Sequence, residues 1–155
     1  MGMTTTTELA GLVYASWGRR AVALLIDTAL VLGATVGLYL FAWAAGGYDA
    51  ATDTLADSWL AVYIPLILVG PPVYFWLMIG RYGATLGKRA LGIFVRRDDD
   101  QGTPVSYARA LGRVVSWLVL AFFSLPLLLS VLWPLWDARN QTLVDKMAST
   151  VAVRS

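Results

Sequence analysis

The chain contains no cysteine and no histidine, and only 14% of its 155 residues are charged. These absences exclude disulfide bonds, thiol nucleophiles, thiolate or imidazole zinc sites and histidine-based acid–base triads. The formal net charge of +2 is too small to indicate a nucleic-acid partner. By contrast, 58% of the residues are hydrophobic, whereas soluble domains are about 45–50% apolar. The composition therefore predicts a single-domain membrane protein.

Two apolar runs are long enough to cross a bilayer. Residues 21–45 contain one charged residue, Asp27, and span roughly 37 Å as a helix, more than the ~30 Å hydrocarbon core. Residues 59–79 form the second run, and we expect its three prolines to bend the helix. We predict an all-α membrane protein, a small helical bundle with transmembrane helices TM1 over 21–45 and TM2 over 59–79.

A third apolar segment over residues 114–136 has two possible topologies. As an unbroken helix it would span roughly 34 Å, enough for a full crossing. The sequence Ser124-Leu125-Pro126 interrupts it, however, and the polar tail over 137–155 carries basic residues. Because positive charge is biased to the cytoplasmic side, we predict a re-entrant segment that returns the tail to the cytoplasm. A simple crossing is the alternative.

The polar segments complete the predicted organisation. Residues 1–20 form an N-terminal segment whose apolar residues fall near helical spacing, with an aromatic pair suited to the membrane interface. In the basic segment over 80–113, Leu91 to Arg97 alternates like a strand, Asp99 to Gly102 is typical of a turn and Ser106 begins a helix. Thr150 to Arg154 also alternates, so we predict a small cytoplasmic β element in which the two strands pair.

The distribution of Lys and Arg predicts the orientation. Seven of these residues lie between 80 and 113, two more precede TM1, and the connector over 46–58 has none. The positive-inside rule therefore places the N-terminus and the basic segment in the cytoplasm and the connector outside. We expect a multi-pass protein of the cell inner (cytoplasmic) membrane.

Arg20 and Asp27 are candidate site residues because they share one face of the first helix. A carboxylate inside a membrane segment costs roughly 2.5–3.5 kcal/mol, so it usually faces a partner or a water-filled path. Asp27 is therefore either a structural group that joins two helices or a cation or proton site. Because Asp27 lies seven positions after Arg20, too far for direct contact along one helix, a late aspartate, Asp137 or Asp145, is the expected direct partner of Arg20.

Two other sequence patterns resemble known functional motifs. The residues around Gly83 to Arg89 resemble a phosphate-binding loop, but Tyr82 and Arg89 occupy positions where that loop needs Gly and Ser or Thr. A tight turn that presents Lys88 and Arg89 to anionic lipid or a partner is the better interpretation. No Gly-x-Gly-Asp motif surrounds either late aspartate, so an intramembrane aspartyl protease is not indicated.

Three motifs in this order resemble the RDD family of small prokaryotic membrane proteins. They are Arg20-x-x-Ala23-x-x-x-Asp27, Gly83-x-Thr85-Leu86-Gly87-Lys88-Arg89 and Leu143-x-Asp145-Lys146, and the resemblance covers about Tyr14 to Arg154. The family is named for one arginine and two aspartates. Carried onto this chain, these are Arg20, Asp27 and either Asp145 or Asp137. The family often has a His before the late aspartate and a Gln in the Gly-x-Thr turn, where this chain has Val144 and Ala84.

The resemblance implies two kinds of function. Transport of an unidentified ligand has been proposed for the family, and some members are linked to sodium/proton antiport. Others are domains or subunits of larger membrane assemblies. We therefore expect a small integral membrane protein whose buried Arg/Asp polar cluster takes part in cation or proton transport. The alternative is a non-catalytic accessory or assembly subunit of a larger cell-envelope complex.

Either function carries further expectations. We expect no enzymatic activity, no cofactor and no metal. Three helices are few for a solitary transporter, so we also expect a homo-oligomer or a larger membrane complex in the lipid bilayer.

Overall fold

The structure is a computed structural model that describes residues 8–9, 11–52, 54–99 and 102–154. Some sequence predictions fall outside these residues. They are the first part of the predicted interfacial segment, Asp53 in the connector, and Asp100 and Gln101 in the predicted turn.

The described chain alternates short strands with helices. In order, its elements are β1 (Glu8–Leu9), β2 (Leu12–Tyr14), α1 (Trp17–Ala42), a π-helical turn (Trp43–Gly47), β3 (Tyr48–Asp49), β4 (Thr54–Leu55), α2 (Asp57–Tyr82), α3 (Leu86–Ala90), β5 (Ile93–Arg97), α4 (Tyr107–Phe122), α5 (Ser124–Leu132), a 3-10 turn (Trp133–Leu135), α6 (Leu143–Met147) and β6 (Thr150–Arg154).

Two long apolar helices confirm the predicted pair of membrane segments. The first candidate span is α1 with its π-helical extension, Trp17–Gly47, and the second is α2. Helix α2 continues through all three of its prolines, and the bend expected there stays a prediction. Gly83 ends α2 with a φ of 68°, and its N–H donates to the Ile79 carbonyl at 2.9 Å. A left-handed backbone of this kind favours glycine.

A four-stranded antiparallel sheet lies at one end of the helix pair, in the order β1-β2-β6-β5. The pairing of β5 with β6 confirms the expectation from the two alternating segments. The pairing of β2 with β6 corrects the prediction of near-helical spacing before residue 20. The central strand β6 has backbone N–H and C=O groups on both of its edges. Those on one edge pair with β5, and those on the other edge pair with β2.

The third apolar segment is a helical hairpin rather than one long helix. Helix α4 ends at Phe122, the backbone of Phe123 is extended (φ −110°, ψ 97°), and α5 begins at Ser124. At the far end of α5, the indole Nε1 of Trp17 donates to the Val131 carbonyl at 2.9 Å. Since Trp17 begins α1, the hairpin returns to the end of the bundle that holds the sheet. The predicted break and return are thus present in the fold.

The basic segment predicted over 80–113 is not one unit. Its first residues belong to α2, its last seven to α4, and α3 and β5 lie between them. The Ser106 side chain accepts a hydrogen bond from the Arg109 N–H, which confirms the predicted helix start. The side chains of Ile93 and Val95 are fully buried at the sheet. Many large apolar side chains of the long helices, by contrast, are exposed, so most of the packed core lies at the sheet end of the molecule.

Candidate functional site

Asp145 lies in the first turn of α6, in a position set by a capping box. Thr142 precedes the helix, and its hydroxyl accepts a hydrogen bond from the Asp145 N–H at 3.0 Å. In return, Oδ2 of Asp145 accepts from the Thr142 N–H at 3.0 Å. This reciprocal pair satisfies two helix-end donors and fixes the carboxylate. The Asp145 residue is only 1% exposed.

Two arginines from different helices bind the carboxylate of Asp145. Nη1 of Arg20, in the first turn of α1, lies 2.6 Å from Oδ2. Nη1 of Arg113, in α4, lies 2.5 Å from Oδ1 and also contacts the Thr150 hydroxyl. Burial alone would raise the pKa of Asp145, but the two guanidinium groups outweigh burial and lower it. The carboxylate is therefore ionised and joins α1, α4 and α6.

Asp27 forms a second, separate site on α1 and is also 1% exposed. Its Oδ1 accepts from the Tyr74 hydroxyl at 3.1 Å and from the Gly87 N–H at 2.9 Å. Its Oδ2 accepts from the Thr85 hydroxyl at 2.5 Å. These three donors come from α2, from the turn after it and from α3. Asp27 therefore joins the first membrane helix to the segment that follows the second.

The glycine at position 87 explains part of the Gly-x-Thr-Leu-Gly sequence. A Cβ atom there would lie 2.3 Å from the Ala23 carbonyl oxygen and 3.0 Å from Cγ of Asp27. Only glycine lets the α3 backbone approach α1 this closely, and that approach brings the Gly87 N–H to the carboxylate. The motif thus forms a carboxylate-binding turn.

Asp137 lies apart from both buried aspartates. It pairs with Lys146 at 2.5 Å and accepts hydrogen bonds from the backbone N–H groups of Arg139 and Gln141. Burial opposes these contacts, but together they lower the pKa of Asp137. Of the two late aspartates considered from the sequence, Asp145 is the one that binds Arg20. The four candidate residues therefore occupy three places rather than one cluster.

Lys88 and Arg89 are neighbours in α3 but have different surroundings. Arg89 is exposed, and its guanidinium carbon lies 4.9 Å from the ring centroid of Tyr82. Lys88 is half-buried and lines a cavity between the long helices. Burial lowers the pKa of Lys88 to about 8, and the nearby Arg113 adds to this shift. The two basic residues therefore do not act as one exposed pair.

Sequence reasoning missed two contributors to the buried sites. Arg113 was grouped with the basic residues of its segment, and the Tyr74 hydroxyl was not singled out at all. Arg113 lies two turns into the strongly amphipathic helix α4, on the face where Ala110 and Val114 are buried. A basic residue on the apolar side of such a helix is the signal that could have identified it.

The described residues contain no group of three or more acidic, histidine or cysteine side chains that could hold a metal ion. A family model described as the RDD family matches residues 14–149 of the chain. No curated protein and no solved structure shows a significant match.

Proposed function

The chain belongs to the RDD family of membrane proteins, and from this premise we propose that it is a non-catalytic accessory or assembly subunit of a larger cell-envelope membrane complex. In this proposal the buried Arg/Asp contacts hold the fold together. The exposed surfaces of the long helices and of the sheet end contact the partner.

The observation that carries the proposal is the one-sided distribution of charge. From Thr28 to Gly47 neither α1 nor its extension contains a charged residue, and from Ser58 to Gly80 neither does α2. Twenty helical residues extend about 30 Å, the full thickness of a hydrocarbon core. A single copy therefore offers an ion no charged side chain across most of the membrane. This supports an anchoring role over an ion path.

The occupied carboxylates support the same function. Asp145 already accepts from two arginines and one backbone N–H. Asp27 accepts from three donors that belong to the chain itself. A transported cation would have to displace these donors, at a cost of about 1–3 kcal/mol for each one left buried without an acceptor.

Orientation forms part of the proposal. All twelve Lys and Arg residues of the chain lie at the end of the molecule that holds the sheet, and the connector between α1 and α2 has none. By the positive-inside rule, the sheet and both termini face the cytoplasm of a cell inner membrane. A partner would then meet a basic cytoplasmic surface and apolar helices within the bilayer.

Purification from native membranes tests the proposal. The chain, tagged at its N-terminus and expressed at its native level, is solubilised in mild detergent, and its mass and co-purifying proteins are measured. We expect a defined set of membrane proteins in fixed ratio, at a mass well above small multiples of 16.8 kDa. A tagged membrane protein of similar size is the control. Elution as a monomer or homo-oligomer alone would contradict the proposal.

Cation or proton transport is the second candidate, and the full burial of Asp27 inside a membrane helix favours it. Such a transporter would need further copies to complete a path. Proteoliposomes of the purified chain, with an imposed pH gradient, test this function. Flux in the wild type that is lost in Asp27→Asn, with unchanged thermal stability, would support transport. Absence of flux in the wild type would support the accessory function.

A further inference from the structure

A cavity of about 500 Å³ lies between α1, α2 and α4. Along α1 its wall extends from Leu24 to Thr35, a length of about 16 Å. This length matches one leaflet of the ~30 Å hydrocarbon core. Two residues of the wall, Leu32 and Trp117, are 60% and 47% exposed. The cavity is therefore open at the side of the bundle that would face lipid.

Lys88 and Arg113 are the basic residues of the cavity wall, at the end nearest the sheet. The Lys88 ammonium has no hydrogen bond and no carboxylate partner among the described residues. Arg113 is buried, and its Nε also lacks an acceptor in the described part of the chain. Two cations that line one cavity thus retain unused donors.

The surrounding charges do not compensate for Lys88. The groups that act on it are Arg113 from α4, Asp145 from α6, and Arg20 and Asp27 from α1. This set contains two other cations and two carboxylates, and the carboxylates already accept hydrogen bonds from the donors described above. With Lys88 included, one positive charge remains in excess. An opposite charge would stabilise a half-buried excess charge of this kind.

We propose that this cavity binds one anionic phospholipid of the surrounding bilayer. The headgroup phosphate contacts Lys88, and an acyl chain lies along the apolar wall formed by α1, α2 and α4. Lys88 follows the end of α2 by six residues, which places its ammonium at the level of lipid headgroups. The proposal does not depend on the accessory function, because either an accessory subunit or a transporter could hold such a lipid.

Native mass spectrometry of the full chain tests this site. The protein is purified in detergent micelles that contain equimolar phosphatidylglycerol and phosphatidylcholine with identical acyl chains. We expect one retained phosphatidylglycerol per chain. Lys88→Met should reduce its retention about tenfold or more, as loss of one charge-assisted hydrogen bond implies. Arg89→Gln, which removes the neighbouring exposed charge, and Lys88→Arg, which keeps the charge, should retain the lipid.

Several outcomes would overturn the lipid site. These are equal retention of the two lipids, equal retention of phosphatidylglycerol by Lys88→Met, and a loss in Arg89→Gln as large as that in Lys88→Met. A lipid-free dimer of the wild type under the same conditions would also contradict it, since a second copy would then cover the cavity. Thermal unfolding of each variant confirms that the comparison is made between folded proteins.

Discussion

Arg20 and Asp145 are 125 residues apart in the chain, and their side chains form a buried ion pair of 2.6 Å. Arg113 occupies the other oxygen of the same carboxylate. This ion pair stabilises the sheet end of the molecule, because it joins the start of α1 to α6 near the C-terminus. An arrangement of this kind favours a structural role for the two residues, and each of its parts can be tested.

Removal of the Asp145 charge should strongly destabilise the fold. Asp145→Asn leaves Arg20 and Arg113 buried without a counter-charge, and breaking a buried ion pair in this way costs about 3–5 kcal/mol. Thermal unfolding in detergent, followed by tryptophan fluorescence, measures the effect. Asp137→Asn is the matched control, because its partner Lys146 is partly exposed. Equal losses in the two variants would contradict the assignment of Asp145 as the central group.

Stability should fall in acid because of the same carboxylate. The pKa of Asp145 is lowered in the folded state below its ordinary value of about 4. Its contribution is therefore complete above pH 4 and is lost as the pH falls further. The melting temperature of the wild type should drop below pH 4, and Asp145→Asn should lose much of that dependence. A parallel pH profile in the two proteins would refute this account.

The charge of Lys88, unlike that of Asp145, should destabilise the fold, and its loss at alkaline pH should raise the stability. Burial lowers its pKa to about 8, from 10.5 in the unfolded chain. Between these two values the unfolded state binds more protons, so stability should rise as the pH increases from 8 to 10.5. In lipid-free micelles, Lys88→Met should remove this rise and stabilise the protein at pH 7 by roughly 1–3 kcal/mol. A lower melting temperature for Lys88→Met would show that the ammonium has a stabilising partner.

Gly87→Ala should disrupt the contact between α3 and α1. The added Cβ would lie 2.3 Å from the Ala23 carbonyl oxygen, so the turn that binds Asp27 would have to move. We expect a loss of about 1–3 kcal/mol, comparable to an overpacked core. Gly112→Ala in α4 is the control, since no atom lies within 4 Å of its added Cβ. That variant should be neutral or more stable by up to ~1 kcal/mol.

The orientation can be measured with single cysteines, because the chain has none of its own. Cysteines are introduced by Ala50→Cys, in the connector, and by Ser155→Cys, at the C-terminus. A membrane-impermeant thiol reagent applied to intact cells should label the first and not the second, if the basic end is cytoplasmic. Labelling of both in broken cells is the control. Labelling of the C-terminal cysteine in intact cells would reverse the proposed topology.

The sequence predicted those parts of the fold that local pattern determines. Length and hydropathy identify α1 and α2, because a helix that crosses a bilayer needs about 20 apolar residues whatever it packs against. Alternation identifies β5 and β6. The strand β2 was missed because three residues after a glycine carry too little alternation to distinguish a strand from an interfacial turn. What makes β2 a strand is the free edge of β6, which lies far away in the sequence.

The site was predicted less completely than the fold for a similar reason. Arg20 and Asp27 were singled out because charges in or beside an apolar run are rare and costly. Arg113 lies in a segment with many basic residues, and its place on the apolar side of α4 is the local sign that separates it from those that remain exposed. Its role depends on Asp145, 32 residues further along the chain. Contacts over such distances follow from the tertiary arrangement and are not visible in one sequence.

The pairing of β2 with β6 determines when the four-stranded sheet can form during synthesis. Tyr14 is aligned with Val153, 139 residues later. A ribosome that adds about 5–20 residues per second needs roughly 7–28 s between the two. Both long helices can enter the bilayer within that interval, before β2 can pair with β6 and before Arg20 can pair with Asp145. Translation that stops before β6 would therefore yield an inserted chain in which β2, β5 and Arg20 lack their partners.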